Sequence, residues 1–385
     1  MKVKFLYNAI ELVLLLLFIT TSCFSIEVYP GVIYENVIKK DPNLSIHIAK
    51  IDPSKVSIVL AAAHGKCNDT ERVSHMAKEK DAIMAINGGF WDFGQKNKYW
   101  DYLVKIEDCF GLSVSNTFPV ANLKIKNKWF SLSNKSTGCI GWHDADQRAC
   151  LGTLQIAWQV QINGKLYPVV EINKPYVPGP VIYTTAYDSV SPGKDEVTEI
   201  IVEHNKIKKV ILHGSGGTVI PDDGFIYAIE RRYLDGADLP FFAVGQVASI
   251  VKNYSNKKYD WDKLDYLLGS TPLLMEDGHI TKMVLGSQSS FFIKRHPRTA
   301  IGVLENGNWV MVVVDGRQEQ SCGMTLLELS QFMQALGCKD ALNLDGGGSS
   351  VMIVKNEVVN SPAGREWGLF KGERFVSNAI VVCRN

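Results

Sequence analysis

Met311-Val-Val-Val314-Asp315-Gly-Arg317 and, a short way downstream, Ala341-Leu-Asn-Leu344-Asp345-Gly-Gly-Gly-Ser-Ser350 share one design. In each, a short apolar run delivers an aspartate at its exit, and glycine follows. Residues 82–86 (Ala-Ile-Met-Ala-Ile) do the same with Asn87-Gly88-Gly89. Short, largely apolar runs of this kind read as buried strands. A strand holds the polar side chain at its exit rigidly, and the glycines admit positive φ and let a ligand approach the backbone. A lone Asp-Gly is an ordinary hairpin turn. Three glycines followed by two serines, at Gly346, Gly347, Gly348, Ser349 and Ser350, are more than a tight turn requires.

Working outward, most of the chain has strand-like periodicity. Residues 45–51 and 56–61 read as strands broken by Asp52-Pro53, and residues 109–131 alternate apolar and polar positions around Pro119. Residues 199–202, 209–212 and 225–229 are further strands between glycine-rich or Pro-Asp-Asp-Gly turns. Pro175, Pro178 and Pro180 mark an irregular loop. Helices are few. The clearest spans 326–336, with Thr325 as cap, Glu328 completing a capping box and Gly337 just past its end. Its apolar positions Leu326, Leu329, Phe332, Met333 and Leu336 fall on one face. A second helix is expected within 71–80. No repeat or linker-like stretch interrupts the chain. These features predict an α+β fold: a single large domain of mixed, mainly antiparallel β-sheet with a few packed helices.

With 385 residues, 46% of them hydrophobic and 21% charged, the chain is long enough for a substantial core. Its formal net charge of +1 argues against nucleic acid as a partner, since such binders carry a basic surplus or stripe. The N-terminus has Lys2 and Lys4, an apolar stretch at residues 12–19, and then Thr20-Thr21-Ser22-Cys23. That layout predicts a signal peptide over residues 1–23, preceding a domain over 24–385, and hence export to the periplasm, cell surface or medium. Cys23 also offers a lipidation site, and so a membrane tether, if the source is bacterial. Export permits disulfides, for which Cys139 and Cys150 are the nearest pair. No Cys/His spacing suggests zinc, and the reading includes neither metal nor cofactor.

Arg298-Thr-Ala-Ile-Gly, Val-Val-Asp315-Gly-Arg317, Gly323-Met-Thr-Leu-Leu-Glu-Leu and the Asp345 segment together resemble the phosphodiester glycosidase family. Asn87-Gly-Gly-Phe90 is similar to its upstream motif, Pro272-Leu-Leu with Asp277-Gly to its middle motif, and Val376-Ser-Asn378-Ala to its end. The motifs run in the family's order over residues 80–385. Trp91 stands where a second Phe is common, and Gly269-Ser-Thr-Pro272 replaces a more glycine-rich stretch. The resemblance implies hydrolysis of a sugar-1-phosphodiester, of the GlcNAc-α-1-phosphodiester kind, to a free sugar and a phosphomonoester.

The residues are compatible with that chemistry. Glycoside cleavage usually needs two carboxyl groups, and Asp315 and Asp345 are the candidates. A phosphate leaving group has a second pKa of about 6, so cations can replace much of the general acid's work. Arg298 and Arg317 are the candidate phosphate clamp. Thr299, Ser349, Ser350 and the backbone of Gly88, Gly89, Gly346, Gly347 and Gly348 are candidate donors, and Asn87 a sugar-hydroxyl partner. Phe90, Trp91, Trp100 and Trp367 could form a stacking platform. Gly214-Ser-Gly-Gly217 lacks the Gly-Lys-Ser/Thr ending of a phosphate loop and reads as a hairpin. His204, His213 and His279 are isolated. Two other functions fit the same residues: a non-catalytic glycan- or phosphoglycan-binding surface protein, and a glycosidase with a non-phosphate leaving group.

Overall fold

The strand Trp309–Val314 is buried along its whole length, and its alternate residues serve two different cores. Trp309, Met311 and Val313 enter one cluster, while Val310, Val312 and Val314 enter another. That division is the period-2 pleat of a strand with apolar layers on both sides. It explains why the segment carries no polar residue until Asp315.

The computed structural model describes residues 20–93, 117–133, 135–175, 177–233, 242–363 and 372–385. Thirteen strands carry the argument that follows. They are β1 (Thr20–Tyr29), β2 (Val32–Lys40), β3 (Asn43–Ile51), β4 (Val56–Ala62), β5 (Glu71–Arg72), β6 (Met84–Asn87) and β7 (Leu273–Glu276), then β8 (Arg298–Leu304), β9 (Trp309–Val314), β10 (Cys338–Asn343), β11 (Met352–Val354), β12 (Phe375–Val376) and β13 (Asn378–Arg384). An eight-stranded sheet runs β1-β2-β3-β9-β8-β10-β7 and ends with His279–Ile280. A five-stranded sheet runs Glu357–Val358, β11, β6, β13, β4. Both are antiparallel throughout.

The two sheets share the cluster that holds Ile51, Ile301, Met311 and Leu342 from the first, and Ile58, Met84, Met352 and Ile380 from the second. Each outer face is covered by helix, the larger sheet's also by the short helices Lys282–Gly286 and Ser290–Ile293. Helix α1 (Val73–Glu79) covers the smaller sheet with Val73, Met76 and Ala77. Helix α2 (Leu326–Ala335) covers the larger with Leu326, Leu329 and Met333. The result is four layers, helix–sheet–sheet–helix. Truncating a core residue such as Met311 to Ala would cost about 2–5 kcal/mol. Both bonds of the capping box form on α2: Glu328 N–H donates to Thr325 Oγ1 at 3.1 Å, and Thr325 N–H to Glu328 Oε2 at 2.9 Å.

The middle of the chain builds further antiparallel sheets on a separate core around Trp129, Trp158, Trp261 and Tyr227. Trp142 and Tyr266 of this middle region belong to the sandwich core instead, the Trp142 ring centroid lying 5.1 Å from those of Trp309 and Tyr266. The single parallel pairing among the described strands is Glu171–Ile172 with Val181–Tyr183. The mainly antiparallel single domain agrees with the sequence reading. The helices are fewer and shorter than an α+β label implies, because short turns rather than crossover helices connect antiparallel strands.

Two further expectations meet the structure here. The seven described cysteines are all free thiols. Cys139 lies opposite Gly152 and Cys150 opposite Gly141, so the expected pair is offset along its ladder rather than facing. Cys109, Trp100, Trp367 and residues 1–19 of the expected signal peptide lie outside the described residues. Cys23 is exposed within β1, opposite Val37 of β2, so the expected boundary at residue 23 falls inside a paired strand.

Candidate active site

Antiparallel pairing fixes which strand ends meet. Arg298, the first residue of β8, lies opposite Val314, the last of β9, and Ala300 lies opposite Asn343, the last of β10. The exits of β9 and β10 therefore open at one end of the large sheet. The smaller sheet joins that end through Asp345 N–H, which donates to Gly88 O at 3.0 Å just beyond β6. The candidates Asn87, Arg298, Thr299, Asp315, Arg317 and the loop 345–350 all sit at this end.

Asp345 begins the glycine loop. Its carboxyl is packed round by protein and is pushed up to about 6 by burial. Opposing that shift, in order, are a hydrogen bond from Ser349, the charge of Arg374 and a bond from the Gly346 N–H. Ser349 is itself buried, and its Oγ accepts from Arg374 Nη1 at 3.5 Å. The Arg374 guanidinium lies 4.8 Å from the centre of the Trp91 ring. Ser350 Oγ is buried and has no hydrogen-bond partner among the described residues.

Sterics require the glycines at two positions. Gly347 has φ +64°, and a Cβ there would lie 3.3 Å from Arg317 Nη2. The guanidinium of Arg317 therefore rests against the loop. A Cβ on Gly88 would fall 2.0 Å from Asn378 Oδ1, the atom that accepts the Gly89 N–H at 2.8 Å.

The other candidates are tied into the protein. Asn87 is fully buried: Nδ2 donates to Asp345 O at 2.7 Å, and Oδ1 accepts from Thr299 Oγ1 at 2.8 Å and Val351 N–H at 3.2 Å. It bonds to the start of the glycine loop, to β8 and to the lead-in of β11. Arg298 is 1% exposed, with Nε donating to Met324 O and Nη2 to Phe291 O and Lys294 O. Burial, then the neighbouring Arg317 charge, lowers its pKa to about 10. Asp315 is 4% exposed: Oδ1 accepts from Asn360 Nδ2 at 3.0 Å and Ser361 N–H at 2.9 Å, and Oδ2 lies 3.3 Å from His47 Nε2. Tyr34 supports that histidine, its Oη lying 2.8 Å from Nδ1. Burial, then the Asp315 charge, pushes the Tyr34 phenol up to about 12.

Arg317 is the exposed cation of the set, with Nη2 3.3 Å from His296 Nδ1. Burial and then the charges of Arg298, Arg317 and Lys294 lower the pKa of His296. Phe90 packs edge-on to Phe291, the ring beneath Arg298. The sequence reading missed Arg374, His47 and Tyr34. Arg374 had a signal, standing two residues before the Val376-Ser-Asn378 motif; β2 and β3, which bring Tyr34 and His47, carry no motif.

The fold and this end of it define a β-sandwich protein with a carboxyl group set in a glycine-rich, arginine-flanked loop. Residues 196–383, just under half of the chain, match the model of the phosphodiester glycosidase family, as the motifs' resemblance implies. Over 98 residues the chain is 31% identical to murine N-acetylglucosamine-1-phosphodiester alpha-N-acetylglucosaminidase, a match covering 25% of this chain and 19% of that protein. Over 67 residues it is 40% identical to the SPbeta prophage-derived protein YomE of Bacillus subtilis, covering 17% of this chain and 10% of that one. The matched stretches are thus small parts of those relatives. A solved structure from Synechocystis shares the fold, with TM-score 0.74 and 23% identity over 95% of this chain and 64% of that chain.

Proposed function

We propose that the protein is a hydrolase that cleaves the glycosidic bond of a sugar-1-phosphodiester, releasing free sugar and a phosphomonoester. The observation that carries the reading is Asp345. Its carboxyl lies in the family-matched segment, its pKa is raised to about 6, and it is flanked by Ser349, Arg374 and the Gly347–Arg317 contact. A base poised near neutrality suits abstraction of a proton from water. In this reading the water oxygen bonds to the anomeric carbon and its proton passes to Asp345. The bond from that carbon to the phosphate oxygen breaks, and its electron pair leaves with the phosphomonoester. Arg317, with its free outward face, and Arg374 stabilise the departing charge. Asn87, backed by Thr299, holds the start of the loop, Asp315 and Arg298 brace the neighbouring backbone, and buried Ser350 Oγ is the unpartnered hydroxyl of the loop. The names of the mammalian relatives support N-acetylglucosamine as the sugar. The N-terminal pattern supports export, and among the described residues no helix is long and apolar enough to cross a membrane.

The test is incubation of the purified protein with a GlcNAc-α-1-phosphodiester, followed by assay of free sugar. Turnover that is lost in Asp345→Asn supports the assignment. Saturable binding without turnover would make the protein a phosphoglycan binder. Equal or better cleavage of an aryl α-glycoside would make it an ordinary glycosidase.

A further inference from the structure

On the far side of the smaller sheet, outside the Asp345 loop, His64, Glu71 and His75 converge with ligating atoms all within 4.8 Å of one another. Three separate elements supply them. His64 lies in the turn after β4, held at φ +48°. Glu71 opens β5, and His75 is in the first turn of α1. Glu71 is 2% exposed, yet no Lys or Arg among the described residues forms an ion pair with it. One carboxylate oxygen faces His75 Nδ1, and the other accepts the His64 N–H at 2.9 Å. Both imidazoles are half-open to solvent, so a cation has a route in.

Burying a carboxylate is costly unless a positive partner faces it. Two imidazoles and one carboxylate are a common three-ligand set for zinc, with a fourth position left for water. Asp69 Oδ2 sits 2.9 Å from His64 Nδ1, the carboxylate–imidazole contact that orients a metal-binding histidine. From this geometry we propose that His64, Glu71 and His75 bind one divalent transition-metal ion, zinc foremost.

The ion acts as a structural clip. Strand β5 pairs with β12, Ala63 N–H donates to Ser377 O, and Glu373 accepts the Ser74 N–H at the start of α1. Drawing the three ligands together therefore fastens the 373–378 segment, which carries Arg374 and Asn378 to the glycine loops. The sequence pattern hid the site because its ligands span a turn, a strand and a helix rather than one motif.

The test uses the full chain, stripped with chelator and titrated with Zn2+ by calorimetry at neutral pH. One equivalent is expected to bind at micromolar or tighter Kd and to raise Tm. His75→Gln and His64→Gln, both at exposed positions, should each weaken that binding at least tenfold, and Glu71→Gln should do the same if it folds. Failure of the wild-type chain to bind Zn2+ at 100 µM, or unchanged affinity and stoichiometry in both histidine variants, would overturn the proposal. The second outcome would place the metal elsewhere on the protein. None of these readouts depends on catalytic activity.

Discussion

His47 Nε2 lies 3.3 Å from Asp315 Oδ2, and the two side chains are 5% and 6% exposed. The contact crosses adjacent strands, since His47 of β3 lies opposite Val313 of β9. Asp315 thus anchors the exit of β9 from within the protein, and its remaining oxygen is taken by Asn360 and Ser361. Asp315→Ala would leave buried His47 and the less buried Asn360 and Ser361 donors without their acceptor, at a cost of about 1–3 kcal/mol. Urea unfolding should show that loss. Any drop in activity in a variant of unchanged stability would instead place Asp315 in the chemistry.

Asp345→Asn should behave in the opposite way. The folded-state pKa of Asp345, about 6, lies above the value of an unfolded aspartate. The folded form therefore binds its proton more tightly, and this contribution to stability is complete below about pH 4 and lost as pH rises through about 6. Replacing the carboxyl by an amide should be close to neutral at pH 4 and should stabilise the protein by about 1–3 kcal/mol at pH 7.5, while abolishing turnover. Urea melts at the two pH values check the sign. Stabilisation that is equal at both, or absent, would remove the raised pKa from the account.

The two arginines singled out by sequence should separate in the same assays. Arg298 gives three hydrogen bonds to backbone carbonyls and packs over Phe291, so Arg298→Ala should lose about 3–5 kcal/mol of stability. Arg317 is exposed and rests on Gly347, so Arg317→Ala should leave Tm within a few degrees. Its kcat/KM for a phosphodiester should fall by about a hundredfold, as expected when one charge-stabilising donor is removed. If Arg317→Ala cleaves the phosphodiester at the wild-type rate, the phosphate contact lies elsewhere.

This contrast shows what the sequence could and could not reveal. The runs before Asp315 and Asp345 were readable because strands covered on both faces are largely apolar, Asn343 being the polar residue among 341–344, so the aspartate-glycine exits stand out. Helix α2 was readable because Thr325 and Glu328 complete a local motif. Whether a side chain faces inward or outward at a strand end is decided by the neighbouring strands, and Arg298 and Arg317 look alike without them. Tyr34 and His47 reach Asp315 only through sheet pairing. Glu71 and His64 meet His75 only through the packing of α1 on its sheet.

Arg374 supplies the sharpest test of the site's electrostatics. Its charge favours ionised Asp345, and its Nη1 contact to Ser349 braces the hydroxyl that donates to the same carboxyl. In the wild-type protein the rate should fall on acidification with a midpoint near 6, because the working form is the carboxylate. Arg374→Gln removes a stabilising cation, so Asp345 should hold its proton to higher pH and the acid limb should move up by about one unit. Ser349→Ala should shift it in the same direction through loss of the hydrogen bond. A purely structural role for Arg374 would lower the rate at all pH values without moving the midpoint. A limb that falls on the alkaline side instead would make Asp345 the proton donor to the leaving group, with the arginines left to neutralise the departing phosphate.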